Sequence, residues 1–504
     1  MEKEQIQKIR TRFAPSPTGF LHIGSVRTCL FNYLFTKKNN GTFILRIEDT
    51  DEARSDKKYE ADLIEGLHWL GLDWDEGPGK GDDYLYYQSN RKEIYKEMIK
   101  KLIDEGKAYY CFCTKEELEG KKDFAESKGK QYLYDRKCLS LNQQEIEKNL
   151  QENIPYVIRL KNPGKIIEFQ DLILGKIKFD TALFGDFVIA TEIDKPLYNL
   201  AAVIDDNDMK ITHVIRGEDH VPNTPKQILM QEAFGFKSPK FAHIPLILGS
   251  DHTKLSKRHN VQAIREYRES GYLNDALINF ISFLGWNPGT EQEIFSLPEL
   301  ENIFSLERCQ KSGAIFNVVK LDWYNGIYIR NKKIEDLFNL CLPYLIRSGL
   351  IEERSGKYVS KMNNEELSKE FISNTISIYQ ERLSKLSEIS DLTSYFYVDI
   401  PEYDKKILIW KEMTQDDLRI SLDKLYEILS KIEDTEWNRG KIQEILENEF
   451  QANGSVIKKR GYLLWPLRVA LSGKEASAGP FEIAEILGKE KTLKRIKNAK
   501  NKIL

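Results

Sequence analysis

The N-terminal segment follows a strand, turn, helix and strand order, and this order constrains the fold more than any other part of the sequence. Residues 9–14 form a short alternating run typical of a strand, and the prolines and glycine of residues 15–19 end it. The apolar residues that follow recur at the spacing of one buried helix face: Val26, Cys29, Leu30, Tyr33 and Leu34. Residues 42–48 predict a second strand. A unit of this kind indicates an α/β domain.

The rest of the chain changes pattern twice. From residue 111 to about 195, charged helical stretches alternate with short strands, which indicates an insertion into the first domain. The β/α pattern returns at residues 198–204 and 211–215, which we expect to be strands, and a helix is predicted to begin at Asn223 and Thr224. Beyond Arg258 helical patterns dominate. We therefore predict a split α/β sheet with an insertion, followed by an all-helical region.

Composition places the chain among ordinary globular proteins. Of its 504 residues, 41% are hydrophobic and 30% are charged, and no apolar run approaches the roughly 18 residues that a membrane helix needs. The N-terminal residues lack the features of a secretory or mitochondrial signal, so we expect a cytoplasmic protein with no membrane partner. The net charge is −3 and the pI is about 6.3, so any contact with nucleic acid must use local patches.

A histidine and two glycines lie between the first strand and the predicted helix. These residues are Gly19, His22 and Gly24. Glycine allows a ligand to approach the backbone closely, and the free N–H groups at a helix N-terminus favour an anion. A histidine here can donate to a phosphate oxygen. The pattern favours a phosphate site, with an ordinary proline and glycine turn as the alternative.

A second candidate is the basic cluster of residues 254–258, which reads Lys-Leu-Ser-Lys-Arg. Three cations in five residues usually mean a solvated loop. If a nucleoside triphosphate lies at the first segment, however, lysines on a flexible loop would stabilise its β- and γ-phosphates as pyrophosphate leaves. The two segments together therefore favour a nucleotide site.

Both segments resemble signatures of one enzyme family. Residues 22–25 resemble the "HIGH" signature of class I aminoacyl-tRNA synthetases, and residues 254–258 resemble their "KMSKS" loop, with mild departures at Ser25, Leu255 and Arg258. Residues 12–19, 45–51, 71–78, 185–188 and 214–220 look like the bacterial glutamyl branch. The resemblance covers essentially the whole chain. It implies a glutamyl-tRNA synthetase that uses ATP to form glutamyl-adenylate from L-glutamate and transfers the glutamyl group to the 3′-terminal adenosine of tRNA(Glu).

The resemblance also implies a function for each predicted region. Residues 1–110 and 196–250 would form the two halves of a Rossmann-like nucleotide-binding catalytic domain, and residues 111–195 an inserted acceptor-binding domain. Residues 251–330 would hold the KMSKS-type loop and a stem-contact domain. Residues 331–504 would form a helical anticodon-binding domain. The expected molecule is multidomain, elongated and monomeric.

Glutamate binding requires a cation for the side-chain carboxylate and an acceptor for the amine. The residues that the resemblance assigns to glutamate are Arg12, Ala14, Ser16, Glu48, Tyr198 and Arg216. Glutamine would be rejected, because its amide would leave a donor facing guanidinium donors. A surface ion pair is the alternative for each charged residue taken alone.

Activation requires the glutamate α-carboxylate to attack the α-phosphorus of ATP, and the enzyme would contribute positioning and positive charge. The resemblance implies that His22, Lys254 and Lys257 are catalytic. Mg²⁺ is expected on the departing phosphates, held by phosphate and water. The expected ATP contacts are Thr18, Gly19, His22, Gly24, Lys254, Ser256 and Lys257.

Three of the six cysteines are clustered in the predicted insertion. Cys111, Cys113 and Cys138, together with Tyr134, resemble zinc-binding versions of this domain. Three thiolates and a fourth ligand suit a structural Zn²⁺ ion. Ser140 stands where some relatives have a histidine, which leaves Tyr134 as the implied fourth ligand. The alternative is a group of reduced, partly buried thiols.

The C-terminal region combines cations with aromatic rings, as the recognition of single-stranded RNA requires. It resembles the anticodon-binding domain of the family. The expected tRNA contacts are Lys458, Lys459, Arg460, Tyr462 and Arg468.

Several alternatives stay open. A non-discriminating enzyme would also charge tRNA(Gln), and the sequence assigns no anticodon-reading residue that would distinguish it. Residues 73–78 disfavour a glutaminyl enzyme, and the long C-terminal region disfavours a short paralogue that modifies an anticodon. A catalytically silent tRNA-binding relative would not need the intact set of His22, Lys254, Lys257 and Arg216. A small-substrate adenylyltransferase would have no use for the helical region after Arg330.

Overall fold

The computed structural model describes residues 8–51, 54–255, 262–451, 457 and 459–503. The chain divides into two compact units. The N-terminal unit comprises residues 1–267 and 274–320, and the C-terminal unit comprises residues 268–273 and 321–504. Among the described helices, none combines the length and the apolar character that a membrane crossing requires.

The first part of the chain is α/β in character. Its strands are β1 (Arg10–Phe13), β2 (Thr42–Leu45), β3 (Ala108–Cys111), β4 (Val157–Leu160), β5 (Ile166–Asp171), β6 (Gly175–Asp180), β7 (Val188–Glu192), β8 (Lys195–Pro196), β9 (His213–Gly217), β10 (Lys240–Ile244), β11 (Ile247–Leu248) and β12 (Ala314–Ile315). Its helices are α1 (Ile23–Lys38), α2 (Lys57–Leu70), α3 (Lys92–Asp104), α4 (Lys115–Ser127), α5 (Gln143–Gln151), α6 (Tyr198–Asp208), α7 (Thr224–Phe234), α8 (Ile264–Glu269), α9 (Asn274–Ser282) and α10 (Leu297–Ile303).

The last part of the chain is mostly helical. Its helices are α11 (Val318–Arg330), α12 (Ile334–Arg347), α13 (Lys369–Ser377), α14 (Ile389–Thr393), α15 (Gln415–Ser430), α16 (Arg439–Gln451), α17 (Gly461–Ser472) and α18 (Pro480–Ile503), the last of which is kinked at Gly488. Three short strands, β13 (Ile351–Arg354), β14 (Lys357–Ser360) and β15 (Glu366–Leu367), form an antiparallel sheet.

Parallel strands form the centre of the N-terminal unit. β1 pairs with β2, and β9 pairs with β10, both in parallel. The backbone N–H of Thr212, just before β9, donates to the carbonyl of Arg10 in β1 at 3.0 Å, which joins the two pairs. α1 packs against this centre through the five predicted positions, all of which are buried. The predicted strand, turn, helix and strand order is confirmed, and so is the Rossmann-like α/β fold.

The predicted insertion contributes strands to two different sheets. Strands β3, β4, β7 and β8 form an antiparallel sheet of their own. The β5–β6 hairpin instead extends the central sheet, because β5 pairs in parallel with β10 and places Asp171 beside Phe241. Residues from this range therefore reach the core of the nucleotide-binding sheet.

Residues 198–204 were expected to form a strand, and this prediction is wrong because they begin helix α6. Five consecutive residues of that helix, 200–204, are at most 2% exposed. A helix that is buried on all sides shows no polar face, so its apolar run has the same appearance as a buried strand.

The prediction of an all-helical C-terminal region holds for most of that region and is wrong at residues 351–367. The β13–β14 hairpin turns at Ser355 and Gly356, which have φ values of 52° and 78°. Two consecutive left-handed residues are typical of a two-residue hairpin turn. Because β13 reads Ile-Glu-Glu-Arg, it carries little of the apolar alternation that marks a strand.

Candidate active site

A cavity of about 660 Å³ opens at the carboxyl ends of β1 and β9. Ligands of α/β proteins commonly bind at this edge of the sheet. The predicted residues that line the cavity are Arg12, Ala14, Ser16, His22, Gly24, Glu48, Tyr198, Arg216 and Lys254. Thr18 and Gly19 lie in the β1–α1 turn but do not line the cavity. Ser256 and Lys257 lie outside the described residues.

His22 caps the N-terminus of α1 at the cavity wall. The backbone N–H of Ser25 donates to its Nδ1 at 3.3 Å. A neutral ring that accepts at Nδ1 carries its proton on Nε2. Desolvation and the positive charge of Lys254 lower the pKa of His22. The ring can therefore donate a neutral hydrogen bond to an anion at the helix N-terminus.

Lys254 reaches the same cavity from the loop after β11. The backbone N–H of Leu255 donates to the carbonyl of Ile247 at 2.8 Å, which fixes the start of this loop. The Nζ atom of Lys254 lies 3.2 Å from Oδ2 of Asp219. Both partners are largely exposed, so this ion pair contributes little stability and can exchange for a phosphate.

Arg12 belongs to a buried network of alternating charges. Its Nε and Nη2 atoms donate to Asp206 at 3.0 and 3.2 Å. Arg46 donates to Asp206 at 2.7 Å and to Glu48 at 2.8 Å. Burial raises the pKa of Glu48, although Arg46 opposes this shift. The network therefore fixes the guanidinium of Arg12 and the carboxylate of Glu48 at the cavity.

Arg216 lines the cavity as a buried arginine, and among the described residues no carboxylate pairs with it. It is 5% exposed, and burial lowers its pKa. Its Nε atom donates to Nε2 of His243 at 3.2 Å, and its Nη2 atom donates to Oγ1 of Thr224 at 2.8 Å. Its buried Nη1 atom has no hydrogen-bond partner within the described part of the chain. A cation in this state fits an anionic ligand.

Tyr198 and His220 form another part of the cavity wall. The Tyr198 hydroxyl lies 3.2 Å from Nδ1 of His220. Burial and the positive charge of Arg216 lower the pKa of His220 to about 4, so its ring is neutral at physiological pH. Both side chains are therefore uncharged polar groups beside the arginines, suited to orienting a ligand rather than to neutralising it.

Sequence reasoning did not assign several residues that hold this cavity in place. Arg46, Asp206, Asp171 and His243 are buried and bonded to the predicted residues or to each other. The sequence carried a signal for Arg46, a charged residue at the end of an apolar strand. It carried none for Asp206, which lies 194 positions from its partner Arg12.

The cysteine cluster is assembled as predicted. The Sγ atoms of Cys111, Cys113 and Cys138 lie within 4.8 Å of one another. The Tyr134 hydroxyl lies 3.3 Å from the first of these atoms and 3.5 Å from the second. A hydrogen bond from Cys138 lowers the pKa of the Cys111 thiol to about 4. The group therefore offers a thiolate, two further thiols and a phenol around one point.

The predicted tRNA contacts lie in different surroundings. Lys459 and Arg460 are at the surface and pair with Glu412 and Glu447. Tyr462 is 6% exposed and packs against Trp410, so its ring is not available for stacking on a base. Arg468 is half-buried, and its Nε atom is buried with no hydrogen-bond partner among the described residues. Lys458 lies outside the described residues.

The two parts of the chain match two known domain families. Residues 8–323 match the catalytic domain of class I tRNA synthetases of the E and Q type. Residues 336–500 match an anticodon-binding domain. The cavity, the α1 N-terminus and these matches together define a class I tRNA synthetase.

Individual relatives narrow this class. The chain is 42% identical over 499 residues to a glutamate–tRNA ligase of Thermoanaerobacter pseudethanolicus, and the alignment covers 98% of each chain. It is 44% identical over 497 residues to that of Carboxydothermus hydrogenoformans, covering 98% of this chain and all of the other. A crystal structure of a glutamate tRNA ligase from Elizabethkingia meningosepticum in complex with its amino acid has a TM-score of 0.87 and 34% identity, with 98% and 99% coverage. The chain belongs to the glutamate–tRNA ligase family, as the sequence predicted.

Proposed function

We propose that this enzyme activates L-glutamate with ATP and esterifies it to the 3′-terminal adenosine of tRNA(Glu). The observation that carries the proposal is the state of Arg216. This buried guanidinium faces the cavity beside Arg12, and no carboxylate within the described residues pairs with it. A substrate with a side-chain carboxylate supplies the missing counter-ion.

The same arrangement explains why glutamine is a poor fit. Arg12 uses Nε and Nη2 for Asp206, and Arg216 uses Nε and Nη2 for His243 and Thr224. The remaining guanidinium N–H groups require acceptors. A carboxylate offers acceptors alone, whereas an amide turns two donors toward donors and brings no charge.

Adenylate formation requires positive charge and hydrogen-bond donors around the phosphates of ATP. His22 and the N-terminus of α1 provide neutral donors, and Lys254 provides a mobile cation once it leaves Asp219. We assign the same role to Lys257 and ATP contacts to Ser256 from the sequence. Mg²⁺ would be held by the phosphates and water rather than by a dedicated set of protein ligands.

The role of His22 is tested by comparing His22→Asn with His68→Asn. His68 lies on α2 and does not line the cavity. Loss of a donor aimed at developing phosphate charge should lower kcat for charging about 100-fold or more, whereas the control should stay within about twofold. Equal activity of the two variants would contradict the assignment of His22.

We also propose a structural Zn²⁺ ion held by Cys111, Cys113, Cys138 and Tyr134. Zinc–sulfur bonds of about 2.3 Å in a tetrahedron place sulfur atoms about 3.8 Å apart, and the Sγ atoms of Cys113 and Cys138 are 3.6 Å apart. Elemental analysis should find about one zinc per chain, and Cys138→Ser should lose it. Cys341→Ser, a buried cysteine of α12, should retain it. Equal zinc content in all three proteins would refute the site.

We further propose that Lys459 and Arg460 contact tRNA phosphates. Replacing both by Glu should weaken tRNA binding and reduce its dependence on salt. In the matched variant Glu412 and Glu447 are replaced by Gln, which frees Lys459 and Arg460 from their ion pairs and should strengthen tRNA binding. If neither double substitution changes tRNA binding, this contact is refuted. The cytoplasmic location and the monomeric state remain predictions from the sequence.

A further inference from the structure

The interior of the N-terminal unit contains an ionisable pair that the mechanism above does not use. Asp171 at the end of β5 and His243 in β10 are 1% and 0% exposed. Oδ2 of Asp171 lies 2.7 Å from Nδ1 of His243. Neither residue lines the cavity. His243 nevertheless contacts Arg216 through its other ring nitrogen.

The surroundings of Asp171 hold it in the ionised state. Its carboxylate accepts backbone N–H groups from Ile173 at 2.9 Å and from Leu174 at 2.8 Å, and from His243 itself at 3.1 Å. Although burial opposes ionisation, the hydrogen bonds from His243 and these backbone groups lower the pKa of Asp171. An ionised carboxylate only accepts hydrogen bonds, so Nδ1 of His243 must donate.

This contact fixes the tautomer of the imidazole ring. Burial lowers the pKa of His243, so the ring is neutral and carries one proton. With that proton on Nδ1, Nε2 is an acceptor. Two donors approach it, namely Nε of Arg216 at 3.2 Å and the hydroxyl of Thr224 at 3.1 Å. The ring thereby holds Nε of Arg216, while Nη1 has no partner among the described residues.

We propose that Asp171 and His243 are positioning residues that set the orientation of Arg216, and thereby the affinity for the glutamate side-chain carboxylate and the rejection of glutamine. The inference rests on the proposed function of the cavity. It assigns a role in amino-acid selection to the β5–β6 hairpin, whose sequence lies within the predicted acceptor-binding insertion.

Asp171→Asn tests the proposal with a change that keeps the shape of the side chain. An asparagine amide can donate to Nδ1, and the proton then moves to Nε2 and faces the Nε–H of Arg216. The expected result is a KM for glutamate raised on the order of 10- to 100-fold, with kcat and the KM for ATP changed by about twofold or less. The preference for glutamate over glutamine should fall by the same factor.

Two controls separate positioning from general stability. Asp180→Asn changes an exposed aspartate at the end of the same hairpin and should leave all three constants unchanged. His243→Gln places an amide oxygen where Nε2 lies and should retain a lower KM for glutamate than His243→Leu. This pair decides the question even if Asp171→Asn does not fold.

The outcomes distinguish this inference from the function on which it rests. A wild-type protein that charges no tRNA with glutamate refutes both. If the wild type is active, two results refute the inference alone. One is an unchanged KM for glutamate in Asp171→Asn, and the other is an equal KM for glutamate in the two His243 variants. A loss of kcat and of ATP affinity together with thermal stability also refutes it, because that pattern indicates a structural role.

Discussion

Replacing Arg216 by Met is predicted to separate stability from activity. In the free protein its guanidinium is buried without a carboxylate partner, and an unsatisfied buried donor costs about 1–3 kcal/mol. Neither partner of Arg216 is left unsatisfied by the substitution, because the Thr224 hydroxyl lies 3.1 Å from Nε2 of His243 and still donates to it. We therefore expect Arg216→Met to unfold at the same or a higher temperature, with a gain of about 1 kcal/mol.

The same substitution should nearly abolish the reaction with glutamate. Charge-assisted hydrogen bonds contribute about 1.5–3 kcal/mol each, so losing one or two of them should lower kcat/KM for glutamate by about 10²- to 10³-fold. The activity against glutamine, already low, should change much less, because glutamine brings no charge to this group.

Arg46→Met is the matched control for this prediction. Arg46 is also fully buried, but it pairs with Glu48, Asp205 and Asp206. Removing one partner from such a network leaves buried carboxylates without their cation and should destabilise the unit by about 3–5 kcal/mol. Calorimetric unfolding of the ligand-free proteins, with charging kinetics in parallel, makes the comparison. If Arg216→Met is as unstable as Arg46→Met, the argument from the unpaired guanidinium is wrong.

Three further predictions concern stability. Arg495 is fully buried and donates to the carbonyls of Tyr395, Val398, Asp399 and Leu471, so Arg495→Met should destabilise the C-terminal unit by about 3–5 kcal/mol; a calorimetric loss below about 1 kcal/mol would contradict this. Burial lowers the pKa of His213 to about 4, so between pH 6.5 and 4 the unfolded chain binds a proton that the folded protein does not, and the free energy of unfolding decreases as the pH is lowered. His213→Gln should reduce this pH dependence by up to about 1.4 kcal/mol per pH unit. An unchanged pH dependence would show that His213 is not the titrating group. A Cβ at Gly271, where φ is 92°, would meet the backbone N of Leu386 at 2.6 Å, whereas one at Gly349 meets nothing; Gly271→Ala should therefore lower the melting temperature more than Gly349→Ala, and equal shifts would refute the clash.

Local patterns were sufficient for the start of the fold. The spacing of Val26, Cys29, Leu30, Tyr33 and Leu34 predicted helix α1, because polar residues such as Arg27 and Asn32 separate the apolar ones at helical intervals, although these polar residues are buried as well. The run at residues 198–204 was wrongly predicted as a strand because full burial removes that period. The sheet at residues 351–367 was missed because its strands are short and polar.

The site was predicted in part for a similar reason. His22, Arg12 and Arg216 lie in continuous motifs, and the structure brings them to one cavity. The residues that orient them are joined only by the fold, as with Asp171 and His243, which are 72 positions apart. A single sequence carries no period or spacing for such pairs, so their roles emerge only from the three-dimensional contacts.

Charging of purified tRNA(Glu) and tRNA(Gln) with labelled glutamate and, in parallel, with labelled glutamine tests the central claim most directly. We predict ATP-dependent esterification of glutamate to tRNA(Glu) and none of glutamine to either acceptor. Glutamate on tRNA(Gln) as well would establish a non-discriminating enzyme with the same cavity. No glutamate on either acceptor, or charging with glutamine instead, would contradict the assignment of Arg216 as the partner of a substrate carboxylate.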